Sequence, residues 1–343
     1  MTRPMRILVH EFVSGGGLAG RPVPPSLARE GRAMRDAMLA DLAALRRHQL
    51  VITVDPRFPL RSKLAEVVVL APGNGALLDG LLASVDAAWL VAPETGGQLE
   101  SLTARAERQG VALLGSDAAT IRRASDKGTL PRVLARRGVA HPETRIVTTA
   151  REARDAGRRM GFPVVVKPAR GAGCAGVWLV RSARDWPRAL AAVGSLLPEG
   201  GPFLVQRHVP GVAASVSLLA SGGEAVALAV NGQSLRTAGS VSYRGGVTPL
   251  AHPSAARARI AAVAACNAFP RLRGYVGVDL VLTADETVVI EVNPRLTTAY
   301  LGLRASMDRN LAGLALAACA GRLPRAPRAG RQVRFSASGD IRR

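Results

Sequence analysis

The stretch Gly277-Val278-Asp279-Leu280-Val281-Leu282, a turn at Ala284-Asp285-Glu286, and then Glu291-Val292-Asn293-Pro294-Arg295 decides how this chain folds and what it can do. Val276 to Leu282 and Thr287 to Val292 are largely apolar runs of strand length, and the short turn between them predicts an antiparallel hairpin. Side chains alternate across a strand, so Glu291 and Asn293 share one face, and Asp279 can join them from the partner strand. Two carboxylates and an amide oxygen on an otherwise apolar sheet are costly unless a cation compensates them. They are hard oxygen donors, suited to Mg²⁺ (or Mn²⁺) that also holds phosphate oxygens. A plain alternation of surface polar residues would leave Val278, Leu280 and Val292 in need of a second core. Arg295, just past the strand, is the candidate catalytic residue, because a guanidinium there can bind phosphate or steady developing negative charge.

Outward from this hairpin, lysine is the scarce residue. Of 46 lysines and arginines, only Lys63, Lys127 and Lys167 are lysine. A compact ammonium suits a phosphate oxygen, whereas guanidinium is a planar fork. Lys127 lies in Ser125-Asp126-Lys127-Gly128. Lys167 closes the apolar run Val164-Val165-Val166 and is followed by Pro168 and by Arg170-Gly171-Ala172-Gly173-Cys174-Ala175-Gly176. A strand this apolar is expected to be buried, with its last side chain pointing into a cleft. Lys63, between Ser62 and Leu64, reads as a solvated charge. Gly171, Gly173 and Gly176 match G-x-G-x-x-G, but a dinucleotide fingerprint needs a helix after the third glycine, and Val177 to Val180 reads as a strand. A strand–glycine loop–strand hairpin is instead a flap whose backbone N–H groups can cover nucleotide phosphates. The rival reading is a plain hairpin turn.

With 343 residues, of which 48% are apolar, the chain is long enough for two or three domains with large buried cores. No apolar run approaches the roughly 18 residues of a membrane helix. The start, Met1 to Val9, turns polar too soon for a signal peptide. Cys174, Cys266 and Cys319 are too few and too scattered for a disulfide frame or a zinc site. A soluble, cytoplasmic, reduced protein is expected. The net charge of +21 suggests nucleic acid, yet the arginines are spread along the chain and aromatics make up only 3%, so stacking platforms are scarce. Residues 322–343 form the densest basic stretch and read as a solvated or loosely packed tail.

Residues 1–116 alternate short apolar strands with helical stretches, which predicts an α/β domain with a parallel sheet. Its strands are Arg6 to Val9, Leu50 to Val54, Glu66 to Leu70, Ala87 to Val91 and Val111 to Leu114. Ser26 can cap a helix through Met34, Met38, Leu42 and Leu45. Ligands of such sheets bind beyond the carboxyl ends of the strands, where the loops Glu11–Gly17 and Pro93–Gln98 would lie. From residue 117 the pattern becomes α+β. Helices over 117–123 and 126–136 precede a strand at 144–148, a helix at 150–160 and strand 163–167. After the glycine loop come strand 177–180, a helix at 183–197, and strands 203–209, 214–220 and 225–230. A helix over 254–269, the opening hairpin and a helix over 311–320 complete the reading.

Lys127, Lys167 with its glycine loop, Gln206-Arg207-His208-Val209-Pro210-Gly211, Asp279 and Glu291-x-Asn293-Pro294-Arg295 together resemble the ordered motif series of the ATP-grasp superfamily. The resemblance spans roughly residues 117 to 320 and implies two ATP-grasp subdomains, 117–205 and 206–321, behind the α/β domain. It implies that Lys127, Lys167 and the flap residues Gly171, Gly173, Cys174 and Gly176 bind ATP phosphates, and that Gln206, Arg207, His208 and Val209 form the hinge strand that meets adenine. Asp279, Glu291 and Asn293 would hold Mg²⁺, with Arg295 at the transferred phosphate. Arg207 and Ala213 stand where many relatives place acids, so ribose recognition departs from the family pattern.

A narrower resemblance lies in His10-Glu11-Phe12-Val13-Ser14-Gly15-Gly16-Gly17, Ala214-Ser215-Val216-Ser217-Leu218, Asn231-Gly232-Gln233 and Tyr243-Arg244-Gly245-Gly246. These segments look like those of ATP-grasp ligases that join glutamate to tyramine in methanofuran-type cofactor synthesis. The expected function is thus an ATP-dependent carboxylate–amine ligase whose partners are a small carboxylate, glutamate in the first instance, and an amine. Arg236, Arg244 and Arg304 are candidates to fix a substrate carboxylate, while His208 and His252 read as structural. The alternatives are another ATP-grasp ligase of amino-acid or carbamoyl-phosphate type, a non-catalytic ATP-binding chain, or a nucleic-acid-binding module. Sequence does not settle whether identical chains form a homo-oligomer.

Overall fold

Short runs of β-branched and small apolar residues between turn formers build the first sheet of the computed structural model, which describes residues 3–197, 201–325 and 330–342. Strands β1 (Arg6–Glu11), β2 (Gln49–Val54), β3 (Glu66–Val69), β4 (Ala87–Val91) and β5 (Ala112–Leu113) pair in parallel in the order β3-β2-β1-β4-β5. Helix α1 (Pro25–Ala43) covers one face, and α2 (Gly75–Ala83) and α3 (Gln98–Arg108) cover the other. The helix expected to be capped by Ser26 starts one residue earlier. Pro25 occupies its first turn and no side chain caps it, because a proline's fixed φ and missing N–H suit that position.

The chain then adds α4 (Ala118–Ala124), α5 (Leu130–Ala135), β6 (Thr144–Val147), α6 (Ala150–Met160), β7 (Val164–Pro168), β8 (Trp178–Val180), α7 (Trp186–Gly194) and β9 (Phe203–Arg207). Next come β10 (Val212–Ser221), β11 (Glu224–Ala238), β12 (Ser240–Thr248), α8 (Ala255–Asn267), β13 (Gly274–Leu282), β14 (Thr287–Asn293), α9 (Ala299–Ser306), α10 (Leu311–Cys319), β15 (Val333–Ser336) and β16 (Ile341–Arg342). The pairs β6·β9, β7·β8, β7·β9, β10·β11, β10·β13, β11·β12 and β13·β14 are all antiparallel, as the α+β reading expects.

Three expectations are corrected. The helix over 126–136 begins only at Leu130, because the Asp126 carboxylate accepts from the N–H groups of Gly128 and Thr129 and turns the chain there. The strand at 225–230 runs on to Ala238 and is answered by β12, a strand the sequence pattern does not announce. The tail is not a loose end throughout. β15 pairs with β12 and buries Val333 and Phe335, while residues 326–329 and 343 of that stretch lie outside the described residues. Among the described residues, no helix is long and apolar enough to cross a membrane.

One core joins the first sheet to the last helices. Met38 and Leu42 of α1 pack with Trp89, Tyr275, Tyr300, Leu303 and Leu311. The Tyr300 hydroxyl donates to Asp41 at 2.6 Å, and Arg304 pairs with the same carboxylate at 2.6 Å. Burial of an unpaired carboxylate is expensive, so this contact positions α1 against α9. Tyr300→Phe is expected to lower stability by about 1.5–3 kcal/mol, the range for hydrogen bonds to charged groups. A denaturant midpoint equal to wild type would show that Arg304 alone satisfies Asp41.

Candidate active site

The hairpin of β13 and β14 sets Asp279 directly opposite Glu291 and Gly277 opposite Asn293, with a bulge just after Asp279. Alternation therefore brings the three expected ligands together on one face, over a cavity of about 520 Å³. Glu291 Oε2 lies 3.1 Å from Lys127 Nζ. Lys127 sits in the turn made by Asp126, and its ammonium also donates to the Gly171 carbonyl at 2.6 Å, which ties the start of the glycine loop to the carboxylate. Burial works to lower the Lys127 ammonium, but the charges of Glu291 and Glu94 outweigh it and hold the group above its ordinary value. Burial likewise works to raise Glu291, yet Lys127 and Lys167 prevail and hold it down at about 2. Asp279 is pushed well above the carboxylate range by burial and by the facing Glu291. Gln233 on β11 donates to Asp279 Oδ1 at 2.9 Å, and Asn293 donates to its Oδ2 at 3.2 Å.

Lys167, the penultimate residue of β7, is buried and faces the same cavity. Among the described residues its ammonium has no ion-pair partner, and burial drives it down to about 8. Beyond it the loop is a strand–loop–strand hairpin, as expected, and not the entry to a helix. Gly173, Cys174 and Gly176 take left-handed φ values of 63°, 62° and 68°. At Gly176 the left-handed φ favours glycine, and a Cβ would also sit 2.7 Å from Leu196 Cδ1, which would have to shift. Ala175 and Val177 donate back within the loop, and Ala172 donates to Thr95 Oγ1 at 3.1 Å. The N–H groups of Gly173, Cys174 and Gly176 have no acceptor among the described residues, which leaves them free for an anion. Burial, with the charge of Glu291, raises the Cys174 thiol to about 12, so it is no thiolate nucleophile.

The expected hinge residues Gln206, Arg207, His208 and Val209 line the opposite end of the cavity with Leu179 and Val281. Gln206 donates to Thr144 Oγ1 at 2.8 Å, and Arg207 pairs with Glu143 at 2.8 Å, so the acid missing at the hinge position is supplied nearby but turned to the arginine. Arg295 reaches the cavity with its guanidinium held by both oxygens of Glu94 at 2.8 Å. That partner lies 201 residues earlier, in the loop after β4.

Of the two loops at the sheet's carboxyl edge, only the one after β4 borders the site. The Glu11 carboxylate instead accepts from Val13 N, Ser14 N and Ser14 Oγ and is buried in its own turn. None of the three arginines proposed for a substrate carboxylate lines the cavity. Arg304 is committed to Asp41, and Arg236 and Arg244 are exposed. The sequence reading also overlooks Glu30, Glu94, Gln233, Tyr243 and Thr298, four of which line the cavity. Gln233 and Tyr243 stand in segments the reading had singled out, but nothing in their spacing assigns them a partner.

The donor set fits a hard dication. Among the described residues no group of three His, Cys, Asp or Glu side chains converges as a self-sufficient metal site. Two facing carboxylates and one amide remain, a set that suits Mg²⁺ shared with phosphate oxygens.

Residues 124–299 match the ATP-grasp domain family, and residues 48–121 match the pre ATP-grasp 3 domain. The chain is 29% identical over 207 residues to the carbamoyl phosphate synthase large chain of Thermomicrobium roseum, covering 58% of this chain and 19% of that one. It thus spans about a fifth of the length of that curated relative. It is 37% identical over 102 residues to the tyramine–L-glutamate ligase of Methanocaldococcus fervens, covering 30% of this chain and 33% of the ligase. A crystal structure from Archaeoglobus fulgidus, described as of the ATP-grasp superfamily, superposes with a TM-score of 0.70 at 26% identity, covering 96% of this chain and 92% of that one. With a family match across more than half its length, and with the parallel sheet and the antiparallel grasp in their expected order, the chain belongs to the ATP-grasp family.

Proposed function

We propose that this chain is an ATP-dependent carboxylate–amine ligase. The observation that carries the reading is one cavity in which two buried lysines from separate elements face a carboxylate pair beneath a glycine loop. In this reading residues 1–116 are the leading α/β unit, 117–205 carry the flap and 206–321 carry the metal carboxylates. Gln206 to Val209 receive adenine. Lys127, Lys167 and the free N–H groups of Gly173, Cys174 and Gly176 hold the phosphates. Asp279, Glu291 and Asn293 would hold Mg²⁺ (or Mn²⁺), which when bound neutralises phosphate charge. The Asn293 amide must turn its oxygen inward to join them, since its nitrogen now faces Asp279.

The chemistry is alignment and charge neutralisation. A substrate carboxylate oxygen attacks the γ-phosphorus as the bond to the β–γ bridging oxygen breaks, and ADP leaves with that electron pair. The amine nitrogen then attacks the acyl carbon, the C–O bond to phosphate breaks, and the amine's proton leaves with water or phosphate. The products are an amide, ADP and phosphate. Arg295, steadied by Glu94, faces the transferred phosphoryl group. The loop, tied by Lys127 and Thr95, excludes water that would hydrolyse the acyl phosphate.

For the substrates, glutamate with tyramine or a related amine is the favoured pair, as in methanofuran-type cofactor synthesis. The partial identity to the tyramine–L-glutamate ligase supports it. ADP release is measured with ATP, Mg²⁺ and a matrix of amino acids and amines. Release that requires both glutamate and a phenethylamine-type amine is the expected result. Release with bicarbonate and ammonia would assign the chain to carbamoyl phosphate chemistry, and intact ATP binding with no release from any pair would defeat the ligase reading.

A further inference from the structure

Charges that line the cavity are paired off almost completely, and the remainder is informative. Lys127 is held by Glu291, Arg295 by Glu94, and Asp279 by the amides of Gln233 and Asn293. Lys167 is the cation left over, and ATP phosphate accounts for it. The anion left over is Glu30. It projects from α1, lines the same cavity, and takes one hydrogen bond, from the Thr298 hydroxyl. Among the described residues no lysine, arginine or histidine stands within ion-pair distance of it. Arg295 is near enough for its charge to act on Glu30 but is already committed to Glu94.

A half-buried carboxylate without a counter-charge carries a desolvation cost that protonation or a cationic ligand relieves. Burial raises Glu30 above the usual carboxylate range, the expected consequence of that deficit. Tyr243 lines the same cavity, and its phenol makes no hydrogen bond among the described residues. Burial lifts it first, and then the negative charges of Asp279 and Glu30, so ring and carboxylate act on one region. An unpaired carboxylate and an aromatic ring lining one cavity favour a cation over a phosphate or a second carboxylate.

We propose that Glu30, with Tyr243 lining the same cavity, binds a primary ammonium group of the second substrate there. The inference rests on the ligase reading above and adds a recognition residue that none of the ATP, metal or phosphate roles uses. Two substrates carry this chemistry. One is the acceptor amine, charged at neutral pH before it reacts. The other is the amino acid whose side-chain or α-carboxylate is activated, through its own α-ammonium.

The test is steady-state ADP release by wild type and by Glu30→Gln and Glu30→Asp, with amine, amino acid and ATP varied in turn. Loss of one charge-assisted hydrogen bond corresponds to about a 10- to 100-fold rise in KM. Glu30→Gln is expected to raise KM by that factor for one substrate only, with the KM for ATP unchanged and Glu30→Asp intermediate. A rise confined to the amine assigns the subsite to the acceptor. A rise confined to the amino acid, and absent with its des-amino dicarboxylate analogue, assigns it to the α-ammonium. Equal effects on all three substrates, or wild-type values throughout, overturn the proposal and leave the ligase reading standing. Should Glu30→Gln not fold, Tyr243→Leu replaces it with the same selective expectation, and a uniform effect there overturns the proposal equally. No ADP release by the wild-type protein overturns both.

Discussion

Glu291→Gln is expected to lower kcat by about 10²- to 10³-fold, the scale found when one preorganised charge of a reacting site is removed. The side chain keeps its size, and Val292 and Val289 on either side keep β14 in the core, so the fold survives. Three effects add at this one residue. Lys127 loses the anion 3.1 Å from its ammonium. Lys167, without an ion-pair partner among the described residues, loses the charge that most opposes its desolvation. The facing Asp279 loses the carboxylate with which it would share a dication. The measurement is single-turnover ADP formation at saturating ATP and Mg²⁺, alongside a thermal melt. Wild-type turnover in a folded Glu291→Gln protein would refute the metal assignment.

Lys127→Arg is expected to cost about 10²-fold in kcat/KM, the loss that an ångström of misplacement in a reacting site can bring. The exchange preserves charge, and this chain uses arginine for nearly all its positive charge. The place is the obstacle. The ammonium occupies a buried gap between the Gly171 carbonyl at 2.6 Å and Glu291 Oε2 at 3.1 Å. A guanidinium is wider and planar, so it cannot make both contacts without pushing the glycine loop outward. The N–H groups of Gly173, Cys174 and Gly176, proposed to hold phosphate, move with that loop. Lys63→Arg is the control, because Lys63 is exposed and far from the cavity lining. Equal kinetics for the Lys127 and Lys63 variants would show that the scarcity of lysine is an accident of composition.

Much of the site was legible before any coordinates. The alternation along Gly277–Leu282 and Glu291–Asn293, with three polar residues at the turn, is a local signal, and the observed register sets Asp279 against Glu291. Lys167 was legible because an apolar strand that ends in a charge must deliver that charge to a cleft. The strand–loop–strand hairpin was legible because three of the four residues from Val177 to Val180 are β-branched or aromatic. The parallel order of the first sheet followed from strand–helix alternation in the same way.

What stayed hidden was long-range or locally masked. β12 was hidden because Gly239, Gly245 and Gly246 interrupt its pattern and Ser240, Ser242 and Arg244 dilute it, though its partners hold it from both sides. That strand delivers Tyr243 and Val241 to the cavity. The helical reading of 126–136 failed over one hydrogen-bonding side chain, Asp126, whose local bonds compete with a helix. The three arginines chosen for a substrate carboxylate were chosen by type alone, and Arg304 shows why that fails, since a partner at Asp41 decides its role.

The sequence by itself determined the elements with short-range causes: the alternating first sheet, the glycine loop, the carboxylate hairpin and the order in which their charges occur. Tertiary structure alone decided which charges are satisfied. Glu94 finds Arg295 across 201 residues, Gln233 finds Asp279 across 46, and Glu30, among the described residues, finds only a hydroxyl. Pairing between distant residues leaves no periodic trace in a chain, because it depends on how sheets and helices stack rather than on neighbours in sequence. The residual charge of the cavity, which among the described residues is Lys167 and Glu30, is therefore a property of the folded molecule.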